Sequence, residues 1–106
     1  MKKMKILALS ASALVLSLGA VPTFAEDASA LAQKSGCLAC HQVEVKVVGP
    51  AYKEVAAKYK DQDVLEQLVA KVKAGGVGVW GEIPMPPNVN VSEEDIRTIV
   101  TWVLSL

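Results

Sequence analysis

Gly36-Cys37-Leu38-Ala39-Cys40-His41 holds both cysteines of the 106-residue chain and its one histidine. Two cysteines three residues apart with a histidine directly after them form the attachment signature for c-type haem. One helical turn separates the thiols, so both can form thioether bonds to the porphyrin vinyl groups while the adjacent imidazole points at iron. Other readings of Cys-x-x-Cys compete with this one. A dithiol redox pair wants a preceding strand and a βαβ setting. A structural zinc site needs four ligands, and the chain has only these two cysteines and this histidine to offer. A disulfide across so short a loop adds little chain-entropy stabilisation and leaves the histidine unexplained. The pentapeptide favours haem without closing the alternatives.

Met1 to Ala25 reads as a secretory leader, with Lys2, Lys3 and Lys5 ahead of an uncharged run from Ile6 to Val21 and Thr23-Phe24-Ala25 at its end. Cleavage is expected after about Ala25, which leaves residues 26–106 as one domain. Ser, Gly and Pro dilute the apolar run towards its end, which argues against a permanent membrane anchor. Eleven basic and eleven acidic residues sum to zero charge over the whole chain. The leader takes three of the basic residues and none of the acidic ones, so the domain carries about −3. No basic field for nucleic acid remains. The 52% hydrophobic share is likewise inflated by the leader, and the domain keeps only four aromatic side chains, Tyr52, Tyr59, Trp80 and Trp102. A core so thin needs a staple such as a disulfide, a metal or a prosthetic group.

Within the domain the apolar periodicity is helical. Ile96, Ile99, Val100, Val103 and Leu104 form one stripe behind a capping Ser92 and Asp95. Leu65, Leu68, Val69 and Val72 form a second that should stop near Gly75-Gly76. Tyr52, Val55, Ala56 and Tyr59 form a third after Pro50, and a short helix is expected from about Asp27 to near Gly36. Only Val43 to Val48 alternates in the manner of a strand. The loop from Gly75 to Asn90 holds Pro84, Pro86, Pro87 and Trp80, a length that in small domains often marks function.

That loop carries the second candidate ligand. Haem in electron carriers is typically held by His and Met, and Met85 is the single methionine outside the leader. Flanking prolines stiffen the backbone that presents its thioether. A core gap-filler would sit on a packing stripe, which Met85 does not. With His41 and Met85 both on iron no position is open, and outer-sphere electron transfer is the default chemistry.

The stretches Gly36 to His41, Val48-Gly49-Pro50-Ala51-Tyr52-Lys53, Val55-Ala56-Ala57-Lys58, Gly78-Val79-Trp80-Gly81, Ile83-Pro84-Met85-Pro86-Pro87-Asn88 and Trp102-Val103-Leu104-Ser105 occur in one order. Together they resemble the small bacterial class I cytochromes c of the c-551 type. The resemblance implies an all-α class I cytochrome c fold, four to five short helices around one covalently bound haem c. It makes Cys37 and Cys40 the attachment residues, His41 the proximal ligand and Met85 the distal ligand. It implies that the Pro50 carbonyl accepts a hydrogen bond from His41, that Asn88 bonds near the Met85 sulfur, and that the Trp80 indole reaches a haem propionate. Plain core packing is the alternative for Trp80. Lys71 stands where family members often place Arg beside that propionate, a point charge in place of a planar fork.

The function implied is a soluble, monomeric periplasmic carrier, not an enzyme. It would move single electrons from a membrane cytochrome complex to a nitrite reductase or an oxidase. Leu38, Val47, Val48, Ile83, Pro84, Pro86 and Pro87 would form an apolar docking rim, with Lys34, Lys46, Lys53, Lys71 and Lys73 as a positive border. The rival functions are a haem sensor or peroxidase-like enzyme in which Met85 leaves iron, and a haem-free dithiol oxidoreductase.

Overall fold

The computed structural model describes Lys3 and residues 23–106. The leader reading falls outside the described residues except at Lys3 and at its last three positions. Four α-helices carry the fold: α1 (Phe24–Lys34), α2 (Tyr52–Lys58), α3 (Leu65–Ala74) and α4 (Glu93–Leu104), with a 3-10 turn at Cys37–Ala39 between α1 and α2. Among the described residues there is no strand, only isolated bridges between His41 and Lys46 and between Gly76 and Met85. No described helix is long and apolar enough to cross a membrane.

Local chemistry sets most of the boundaries. Ser92 is extended, and its hydroxyl accepts from the Asp95 amide at 3.1 Å, so α4 opens where the capping pattern placed it. Helix α3 stops at Gly75, whose φ of 77° lies in the left-handed region. Helix α1 begins earlier than the expected Asp27. Thr23 caps it by accepting from the Glu26 amide at 3.3 Å, which draws Phe24 and Ala25 into the first turn. The alternation of Val43 to Val48 forms no strand, because no second strand lies beside it. The segment loops back instead, with Val48 and Gly49 both donating to the Cys40 carbonyl, at 3.2 and 2.8 Å.

Helix α4 is the common wall. Its Ile99, Trp102 and Val103 pack with Ala28 and Ala32 of α1 and Tyr52 of α2. Its Ile96 and Val100 pack with Leu68 and Val69 of α3. Ala28 and Ala32, one turn apart and fully buried, keep nothing beyond Cβ between α1 and α4, so the two helices approach closely. Ile96 is 1% exposed and contributes about 2 kcal/mol by leaving water. Two small clusters adjoining along one face of α4 leave a space that their own side chains do not fill.

Candidate functional site

Between the clusters lies a cavity of about 270 Å³, far larger than the voids ordinary packing leaves. Cys37, Cys40, His41, Pro50, Trp80, Met85 and Asn88 all line it, so every residue singled out for the site reaches one place. The rest of the lining is largely apolar, from Val55, Tyr59, Leu68, Val72, Ile96, Ile99, Val100 and Val103, with Lys46, Lys71 and Glu82 among the charged contributors.

On one side the 3-10 turn opens with Cys37 and is closed by Cys40 directly after it, both free cysteines. The His41 amide donates to the Cys37 carbonyl at 3.0 Å, which places the ring one turn past the first thiol. His41 Nδ1 lies 2.8 Å from the Pro50 carbonyl oxygen. A carbonyl can only accept, so Nδ1 carries the proton and Nε2 keeps the lone pair a metal requires. The ring stacks on Tyr52 at 5.0 Å between centroids, and Tyr52 meets Trp102 edge-on at 5.6 Å. Gly49 completes the seat, because a Cβ there would collide with His41 Cε1. Burial pushes the Cys37 thiol above its ordinary value, although a hydrogen bond with the Tyr52 hydroxyl works against that. Burial likewise pushes the Tyr52 phenol above its usual range, with the neighbouring Cys37 adding to the rise. A thiol held in its neutral form is the reverse of the activated thiolate that dithiol exchange uses.

On the other side Met85 and Gly76 exchange backbone hydrogen bonds at 2.8 and 3.0 Å. Asn88 closes the loop onto α3, its Nδ2 donating to the Val72 carbonyl at 3.1 Å and, at 3.4 Å, to Pro86. Among the described residues none of its hydrogen bonds goes to the Met85 sulfur, so here Asn88 fastens backbone. Gly75 lies against the same segment, and a Cβ on it would come 2.7 Å from the Met85 carbonyl oxygen. Trp80 is 37% exposed at the rim of the cavity and belongs to neither core cluster. The stem of Lys71 runs past Gly76, its Cε 3.0 Å from where a Cβ would stand. Of the expected docking rim, Val47, Val48 and Ile83 are exposed, whereas Leu38 turns partly into the core.

Two thiols one turn apart, an imidazole with its free lone pair fixed, and a thioether thus converge on one apolar cavity, a donor set that fits a covalently attached haem. Among the described residues no three His, Cys, Asp or Glu side chains are placed to hold one metal ion between them. Sequence reasoning missed Gly49, Gly75 and the Tyr52 stack. The Gly49-Pro50 pair was visible as a motif, but nothing in a sequence tells which ring a glycine must clear.

A family model for cytochrome c matches residues 25–106. Cytochrome c-551 of Pseudomonas aeruginosa is 47% identical over 106 residues, covering 99% of this chain and 98% of its own. Cytochrome c-551 of Allochromatium vinosum is 62% identical over 77 residues, covering 72% of this chain and 82% of its own. The crystal structure of wild-type Nitrosomonas europaea cytochrome c552 aligns with a TM-score of 0.72 at 57% identity, covering 74% of this chain and 98% of that one. With that agreement across the domain and the cavity's own chemistry, the chain belongs to the cytochrome c family, as a small class I electron carrier of the c-551 type with a covalently bound haem c.

Proposed function

We propose that the chain works in the periplasm as a soluble carrier of single electrons, with Cys37 and Cys40 bonded to haem and His41 and Met85 as its axial ligands. The observation that carries this reading is the shared cavity, with His41 and Met85 brought to it from segments 44 positions apart. The bound haem supplies the one-electron couple, and the protein supplies ligand identity, burial and orientation. Pro50 fixes the His41 tautomer and so leaves the Nε2 lone pair free to face the cavity's metal. Asn88 holds the Met85 segment to α3. Trp80 and Lys71, on the cavity wall, offer an indole N–H and an ammonium to the propionates. With His41 and Met85 both holding the iron, no coordination site would be left for a substrate.

The proposed donor is a membrane cytochrome complex, and the proposed acceptor a nitrite reductase or an oxidase. Exposed Val47, Val48 and Ile83 suit brief contact with such partners. Visible spectroscopy of the reduced protein tests the core of the reading. A low-spin centre that stays inert to CO at neutral pH is expected, with Met85→Ala keeping the haem, binding CO and lowering the potential. Ready CO binding by the unaltered protein would instead support a sensor or peroxidase-like role. A CO-inert Met85→Ala variant would remove Met85 from the ligand set. Rates of oxidation by each candidate acceptor decide between them.

A further inference from the structure

We infer that Lys58 is a positioning residue for the Met85 loop, acting through Trp80. Its ammonium lies 5.3 Å from the centroid of the Trp80 ring and 5.9 Å from that of Tyr59. Both distances are within the range in which a cation is drawn to an aromatic face. Trp80 and Tyr59 line the haem cavity and Lys58 does not, so the cation sits behind the wall. Among the described residues no carboxylate pairs with Lys58, which leaves the rings as its partners.

Topology gives this contact its weight. The backbone bonds of Gly76 with Met85 and of Gly78 with Gly81 tie the loop to itself, and Asn88 ties it to α3. Lys58, in the last turn of α2, brings in a second helix, one whose Tyr52 is buried against α1 and α4. The fold thereby links the loop that carries Met85 to the side of the cavity that carries His41. Lysine also suits the end of α2 on its own account, since a cation there complements the helix dipole.

The inference rests on the loop forming the far wall of the haem cavity, but its test needs no ligand assignment. Hydrogen exchange in the holoprotein, read at the Gly76, Gly78 and Met85 amides and at the Trp80 indole, is compared in the unaltered chain, Lys58→Met and Lys58→Arg. Methionine keeps an unbranched stem and removes the cation, whereas arginine keeps the cation. Exchange at the four loop protons should quicken about three- to fivefold in Lys58→Met and stay near the original rates in Lys58→Arg, with the His41 and Gly49 amides unmoved. Unchanged loop exchange in Lys58→Met would overturn the inference. So would equal quickening in both variants, or quickening that spreads to His41 and Gly49. A reduction potential that shifts in Lys58→Met while loop exchange does not would reduce Lys58 to a background charge.

Discussion

His41 and Met85 meet at one cavity from segments built in opposite ways. The His41 side is a closed knot. The Cys40 carbonyl accepts two amides, Tyr52 and Lys53 donate back to Gln42 and Val43, and the ring is clamped between Pro50, Gly49 and Tyr52 above the buried Trp102. The Met85 side is a strap. Val77, Val79, Ile83 and Val89 are exposed on it, and a few backbone bonds, the Asn88 amide and the Lys58 contact hold it down. Segments with few buried apolar contacts open at the least cost. One proposed ligand is therefore tied into the knot and the other is laid over the cavity, so the first opening of the native protein is expected at Met85.

Glycine-to-alanine exchange at the two close approaches should break this comparison most forcefully. In Gly49→Ala the new methyl meets a ring that cannot step aside without losing its Pro50 bond, at a cost of about 3 kcal/mol. In Gly75→Ala the added methyl meets the Met85 and Pro87 backbone and a φ of 77° disfavours it, but an exposed strap can shift. About 2 kcal/mol is expected there. Guanidinium denaturation of the two holoproteins gives the order. A larger loss for Gly75→Ala would mean that the strap, not the knot, is the rigid half.

Asn88→Ala sharpens the comparison on one side only. It removes the side-chain bond to Val72 while the Asn88 backbone amide can still donate there, 3.3 Å away. A loss of about 1 kcal/mol is expected in local opening, read as roughly fivefold faster exchange of the Met85 amide. The His41 amide should not change. Equal acceleration of both would show that the two sides open as one unit.

What the sequence made legible follows the same division. Helices α3 and α4 were readable because period and cap act within one turn of the chain, as Ser92 to Asp95 and Gly75 show. Cys37, Cys40 and His41 were readable because attachment geometry is itself local. The strap was visible only as a long loop with a lone methionine. What holds it, Asn88 on Val72 sixteen positions away and Lys58 over Trp80, is tertiary and leaves no local pattern. Val43 to Val48 shows the converse error, since a period of two predicts a strand only where a neighbour exists to pair with it.

The smallest effect concerns the support beneath the strap. Arg97 on α4 grips Glu66 on α3 through two bonds of 2.8 Å, and Glu93, 3.2 Å from Arg97, also draws Lys73 to 3.6 Å. The hydrogen bond from Arg97, aided by its charge, lowers the pKa of the Glu66 carboxyl below the usual carboxylate value. A carboxyl whose pKa is lower folded than unfolded stabilises fully above the unfolded value. That contribution fades as pH falls through the folded value. The unaltered chain should therefore outlast Glu66→Gln slightly at neutral pH, with the two denaturation midpoints converging as the pH falls through the lowered folded value of Glu66. Added salt should narrow the gap as well, because the pair is exposed. A gap that persists unchanged through the acid range would show that Glu66 acts by shape rather than charge. A gap that closes together with faster Met85 exchange, while His41 exchange holds, would place the acid-sensitive hinge under the strap.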